Sequence, residues 1–172
     1  MIHNSSGLYA SPETRMNNLM LLYHDIHAEE KKYDTYNTLI IGDFNIDPFD
    51  RSFIAANTVH AIPFLEEAKR KSRTVNSIEY RMFYNPTWKF LSKRDIPYTT
   101  YYYNTGDIVN YYWHMYDQII IRPQLIDAFV DESLMIIEGT INHKLINSNT
   151  PDKSVYSDHL PLFCELKEVN II

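Results

Sequence analysis

The chain is poor in the residues that mark disulfide-rich, membrane and secreted proteins. It has one cysteine, Cys164, in 172 residues, so no internal disulfide can form, and we expect this thiol to fill a small space in the core. No apolar run approaches the roughly 20 residues that a membrane-spanning helix needs. The first residues lack the basic and apolar segments of a secretory signal peptide. We therefore expect no membrane span and a cytoplasmic location.

Positive charge is also scarce. The chain has 16 Lys and Arg against 22 Asp and Glu, a net charge of −6. This balance disfavours a protein that holds nucleic acid by bulk electrostatics. It leaves room for an enzyme that acts on nucleic acid, because a bound divalent cation adds local positive charge. Hydrophobic residues make up 45% of the chain, which predicts one folded domain, or a large part of one.

The apolar patterns predict a mixed fold. Ser11, Pro12 and Glu13 are typical of a helix start, and apolar residues follow at helical spacing. Buried strands are expected at 38–41, 118–121 and 160–166, with a weaker one at 135–137. A short helix is expected at 64–70, a hairpin at 98–103 and 111–113, and a polar loop at 148–154. Several strands without a regular βαβ rhythm predict an α/β or α+β domain.

Polar residues stand at the ends of the three strongest predicted strands. Asp43 and Asn45 follow the first, Asp117 precedes the second, and Asp158 and His159 precede the third. For any one acid alone, a turn or capping role is the more frequent explanation. Together they supply carboxylate, amide and imidazole groups, which suit a hard cation and a phosphate. An acid at position 117 can also orient an imidazole and favour its charged form.

Three ordered segments resemble one known family. GDFN at 42–45, YDQII at 116–120 and SDHLP at 157–161 match signatures of the endonuclease/exonuclease/phosphatase superfamily, which includes deoxyribonuclease I. A looser match, IHNS at 2–5, is similar to the histidine segment of the deoxyribonuclease I branch. On this resemblance we expect residues 1–172 to be a single partial domain. It would be part of a two-sheet α/β sandwich that lacks its N-terminal half, completed by that missing half or by self-association.

The resemblance also implies a ligand set for a metal ion. Asp158, Asp43 and Asn45 would bind Mg²⁺, with Mn²⁺ or Ca²⁺ as alternatives. The expected activity is divalent-metal-dependent hydrolysis of phosphodiesters, with nucleic acid as the first candidate substrate. Two alternatives stay open, because the pocket motifs are shared across the superfamily. One is a catalytically inactive remnant or binding module on the same scaffold, and the other is a phosphatase of lipid or inositol phosphates.

Catalytic roles follow from the same resemblance. Asp43 and Asn45 would position the attacking water and the scissile phosphate. His159, oriented by Asp117, would contact the phosphate and stabilise the charge that develops there. His3 would give a proton to the leaving oxygen.

Other polar and aromatic residues nearby receive ordinary structural interpretations. Asp47, Asp50 and Arg51 are expected in turn and capping roles. His114 is expected at the surface or in the core, although it lies close to Asp117 in the chain. The tyrosines at 101–103 can stack on bases, but alternation between core and surface is the more frequent use of such a strand.

Overall fold

The computed structural model describes residues 2–6 and 10–168. Its helices are α1 (Pro12–Lys32), α2 (Arg51–Ile54) and α3 (Leu65–Ala68), with 3₁₀ turns at Pro86–Ser92 and Pro123–Leu125. Its strands are β1 (Ile2–His3), β2 (Leu39–Asp43), β3 (Ala61–Ile62), β4 (Ser72–Val75), β5 (Ile78–Arg81), β6 (Phe83–Tyr84), β7 (Tyr101–Tyr102), β8 (Trp113–His114), β9 (Asp117–Ile121), β10 (Phe129–Ile136), β11 (Ile146–Asn147), β12 (Thr150–Pro151) and β13 (Leu162–Leu166).

One mixed sheet organises the molecule. Its strand order is β1-β2-β9-β6-β3, with β1 parallel to β2 and β2 antiparallel to β9. The remaining strands form two-stranded pairs, of which β10 with β13 is the longest. The chain is therefore a mixed α/β protein with several small sheets and few helices, as the sequence predicted at that level.

The central strand β9 supplies a core on both faces of this sheet. Its side chains alternate, so that Ile120 packs with Leu19 of α1 while Ile119 and Ile121 pack on the opposite side. The α1 helix begins as predicted, with the Ser11 side chain accepting a hydrogen bond from the backbone N–H of Thr14. This two-sided burial fixes the position of β9, and with it the residues at both of its ends.

A buried ion pair joins α1 to the far end of β9. The Arg122 side chain donates to both carboxylate oxygens of Glu30, at 2.7 and 2.9 Å, and to the backbone carbonyl of Met82 at 3.0 Å. Its guanidinium also lies 3.8 Å from the ring centre of Phe83. Both partners are almost fully buried, so these contacts offset the cost of removing the two charges from water.

Several boundaries differ from the sequence-based expectation. Strand β10 starts at Phe129 rather than at 135, because an irregularity between Val130 and Met135 breaks the alternation that marks a strand. The segment at 148–154, expected as a polar loop, contains β12. The hairpin of β7 and β8 is confirmed but is shorter than predicted. Within 2–6 and 10–168, no helix combines the length and apolar character needed to cross a bilayer.

Candidate functional site

The parallel pairing of β1 with β2 brings His3 beside Asp43. The two residues are register partners, and Nε2 of His3 lies 3.6 Å from Oδ2 of Asp43. Gly42 permits this close approach, because its φ is +150° and a Cβ there would overlap the backbone carbonyl of Ile2. The His3 side chain is 79% exposed, so its ring borders solvent while its neighbour Asp43 is largely covered.

Asp43 and Asn45 form a compact hydrogen-bonded turn at the end of β2. Oδ1 of Asp43 accepts from the backbone N–H of Asn45 at 2.7 Å, and Oδ2 accepts from its Nδ2 at 2.8 Å. The turn needs a positive φ of 52° at Asn45, a conformation that asparagine tolerates well. Nδ2 also donates to the carbonyl of Asn4 at 2.9 Å. The side-chain oxygen of Asn45 accepts no hydrogen bond from any described residue and is left for water or a ligand.

Asp117 and His159 meet although 42 residues separate them. Oδ2 of Asp117 lies 2.7 Å from Nδ1 of His159. Thr100 holds both segments in place, since its carbonyl accepts from the backbone N–H of Leu160 at 2.8 Å and its hydroxyl accepts from that of Asp117 at 3.3 Å. The carboxylate accepts a hydrogen bond from Nδ1, which leaves Nε2 without a partner among the described residues. The predicted orientation of an imidazole by Asp117 is therefore present.

These two pairs form one cluster. Single donor atoms of Asp43, Asp117 and His159 all lie within 4.8 Å of one another. Asp43 and Asp117 face each other directly across the β2–β9 ladder, which explains their proximity. Two carboxylates, with the free amide oxygen of Asn45 beside them, are the oxygen donors that hard divalent cations prefer, so the residues fit such an ion.

The shared location shifts two pKa values. Burial alone would lower the pKa of His159, but its hydrogen bond to Asp117 and the negative charges of Asp117, Asp43 and Asp158 together raise it above the ordinary histidine value. Burial raises the pKa of Asp43, and the hydrogen bond from Asn45 opposes that effect. The site therefore favours a positively charged ring beside a carboxylate of increased basicity.

Asp158 does not join the cluster that the resemblance predicted for it. Its side chain is exposed and accepts no hydrogen bond from the described residues, and it acts on His159 through charge alone. The physical reason is local, because Asp158 and His159 are adjacent and the chain holds only the latter against Asp117. The carboxylates of this cluster are thus those of Asp43 and Asp117, and Asp158 as a metal ligand stays a prediction.

A second histidine–aspartate pair lies nearby and was not predicted. Nδ1 of His114 lies 2.7 Å from Oδ2 of Asp47, whose Oδ1 accepts from the backbone N–H of Met115 at 2.8 Å. Asp47 was expected in a turn or capping role, and His114 was expected at the surface or in the core. Neither expectation includes this contact. The two residues are 67 positions apart, and only the pairing of β7 with β8 brings the histidine to the turn after β2, so sequence spacing carries no signal for it. Asp50, by contrast, caps α2 as expected.

Aromatic rings connect the two histidines. Tyr101 lies against His159, with ring centres 4.6 Å apart, and stacks on Tyr116 at 5.2 Å. Tyr116 in turn stacks on His114 at 4.8 Å. Burial and the charge of Asp47 raise the pKa of Tyr116 to about 12, so its hydroxyl stays protonated across the physiological range. The result is a continuous row of rings that starts at the carboxylate cluster.

Comparison with known proteins does not assign the chain to a family. No protein-family model matches the chain, and neither the curated proteins nor the solved structures yield a significant match.

Proposed function

We propose that this chain carries the catalytic cleft of a divalent-metal-dependent phosphodiester hydrolase of the deoxyribonuclease I-like superfamily, acting on nucleic acid. The observation that carries the proposal is the convergence of Asp43, Asn45, Asp117 and His159, from three distant segments, in one cluster at the edge of the main sheet. The two-sheet sandwich of that superfamily belongs to the same proposal.

His159 is suited to contact the phosphate. Its Nδ1 is engaged by Asp117, and its raised pKa favours the charged ring. The Nε2 atom has no hydrogen-bond partner among the described residues, so it can donate to a phosphate oxygen. A fixed donor aimed at a developing negative charge is a major source of catalysis in hydrolysis.

Asp43 and Asn45 are suited to position the attacking water. The carboxylate of Asp43 is more basic than usual and can accept a proton from that water. The free amide oxygen of Asn45 accepts the other hydrogen, which sets the direction of attack. His3 is the candidate proton donor to the leaving oxygen. Its side chain is exposed, and its Nε2 lies 3.6 Å from Oδ2 of Asp43.

Asp43 and Asp117 are the residues that would hold the metal ion, Asp43 through the carboxylate oxygen that does not contact the water. Mg²⁺ is the first candidate, with Mn²⁺ or Ca²⁺ as alternatives. A cation bound there supplies Lewis-acid polarisation of the phosphate and offsets its charge. The acidic balance of the whole chain makes that local positive charge important for holding a polyanion.

The test is hydrolysis of single-stranded and duplex DNA, and of bis(p-nitrophenyl) phosphate, in Mg²⁺ and in EDTA. We expect Mg²⁺-dependent turnover that falls by about two to four orders of magnitude in His159→Ala. His24→Ala, which removes an exposed imidazole on α1, is the matched control. Undiminished turnover in His159→Ala would overturn the role assignment.

The two alternatives give different results when an inositol phosphate and a phosphoinositide are added to the substrates of this assay. An inactive remnant or binding module shows no Mg²⁺-dependent turnover of any substrate. A phosphatase of lipid or inositol phosphates releases inorganic phosphate from those monoesters and leaves the diesters intact.

A further inference from the structure

The row of rings continues beyond His114 into a cavity. Tyr111 meets His114 edge to face, with ring centres 6.2 Å apart. Beside them lies a cavity of about 400 Å³, lined by Asp47, Phe49, Asp50, Leu91, Tyr111 and Trp113. We call the rings of Tyr101, Tyr116, His114 and Tyr111, together with this cavity, the aromatic subsite.

The aromatic subsite presents the ring of Tyr111 to solvent, and the other three rings are half-buried behind it. Tyr116 packs between Tyr101 and His114 at interplanar angles of 23° and 27°, while Tyr101 and His114 are inclined to each other by 46°. Tyr111 is 73% exposed, a large uncovered aromatic surface next to the cavity mouth. Folding gains little from an aromatic side chain left in water, whereas such a face stacks on the bases of single strands in proteins that bind them.

The charges of the cavity narrow the class of occupant. Its wall carries two carboxylates, Asp47 and Asp50, and none of the described residues that line it is cationic. Such a wall repels a second phosphate group, and therefore an inositol polyphosphate or an anionic lipid head. It accepts hydrogen bonds from the amino and imino groups of a neutral ring. A nucleobase combines a flat stacking face with such donors.

We infer that the aromatic subsite binds a nucleobase of single-stranded nucleic acid, next to the phosphate that His159 contacts. This inference rests on the proposed function and deepens it, because it names the substrate class of the same cleft. A duplex keeps its bases stacked inside the helix, so a single strand is the form that can place a base here. Asp47 serves the subsite by fixing the His114 ring between Tyr116 and Tyr111.

The test compares intact and base-free strands. Fluorescein-labelled oligothymidylate and oligouridylate of about eight nucleotides, and abasic strands of the same length, are titrated with the full chain in EDTA. Tyr111→Ala is expected to weaken binding of the intact strands by about tenfold. The ratio of the affinities for intact and abasic strands should fall by the same factor. Tyr111→Phe keeps the stacking face and should restore both. The oligothymidylate and oligouridylate arms tell DNA from RNA.

Tyr33→Ala is the matched control, because Tyr33 is an exposed tyrosine at the C-terminal end of α1. Equal binding of intact and abasic strands by the wild-type chain would overturn the inference, as would an effect of Tyr33→Ala as large as that of Tyr111→Ala. Because the titration in EDTA is repeated in Ca²⁺, which supplies the cation that helps hold the strand, binding remains decisive if hydrolysis fails. Equal rates of hydrolysis of intact and abasic strands would overturn the nucleobase subsite but would not contradict the hydrolase activity. Tyr111-dependent binding without any hydrolysis would support the nucleobase subsite and overturn the proposed hydrolase activity.

Discussion

The Nδ1 atom of His159 lies 2.7 Å from Oδ2 of Asp117, and this hydrogen bond joins the loop before β13 to the first residue of β9. Because Asp117 also faces Asp43 across the ladder, the bond brings the imidazole to the edge of the main sheet. The charge of His159 therefore depends on residues from two strands.

Asp117→Asn should lower the pKa of His159. The amide keeps a hydrogen-bond acceptor for Nδ1 but removes the charge that favours the imidazolium. In the wild-type chain the charged ring stabilises the fold fully below the ordinary histidine pKa, and this stabilisation is lost as the pH rises through the raised value. NMR titration of the ring protons measures the shift, with Asp127→Asn as a control at an exposed acid. An unchanged titration in Asp117→Asn would contradict the assigned cause.

The metal ligands can be separated by charge-neutral substitutions. Asp43→Asn and Asp117→Asn should each weaken Mn²⁺ binding by about ten- to hundredfold, since each removes an anionic donor from the cluster. Asp158→Asn should have a much smaller effect, because its side chain is exposed and lies outside the cluster. Electron paramagnetic resonance of free Mn²⁺ gives the affinities. A dominant effect of Asp158→Asn would instead support the ligand set expected from the family resemblance.

Gly42→Ala should release β1 from the sheet. The added methyl group meets the backbone of Ile2 and occupies a φ of +150°, so we expect a loss of at least about 2 kcal/mol in the free energy of unfolding. Gly106→Ala is the matched control, since a Cβ there meets nothing within 4 Å. Urea unfolding followed by circular dichroism measures both. Similar stabilities for the two variants would show that the β1 backbone can move away at little cost.

The buried ring of His60 should make the fold sensitive to acid. Burial lowers its pKa to about 4, while the unfolded chain keeps the ordinary value of 6.5. Between these values the unfolded state binds a proton that the folded state excludes, so stability is lost as the pH falls, by up to about 3 kcal/mol. Urea unfolding between these pH values tests this. His60→Asn, which tolerates the positive φ of 49° at this position, should reduce the acid-induced loss. An equal loss in that variant would assign the sensitivity to other groups.

The parts of the structure that follow local rules were predictable from the sequence. The start of α1 depends on Ser11 and Pro12, and the strands β2 and β9 depend on continuous apolar runs. The contact between Asp117 and His159 was also anticipated, although only through motifs at both places. The Asp47–His114 pair was not, because neither residue carries a local pattern and the contact depends on how a hairpin packs against a turn. The absence of Asp158 from the cluster likewise depends on which of two adjacent side chains the loop turns inward.

The Glu30–Arg122 ion pair has a consequence for the cleft at the opposite end of β9. A strand that slid by one residue along its neighbour would turn Asp117 to the other face of the sheet and away from His159. Such a slide would also pull Arg122 out of reach of Glu30, leaving two buried charges unpaired. The buried Glu30–Arg122 salt bridge therefore stabilises the register of β9. Through that register it keeps Asp117 beside His159, although it contacts neither residue.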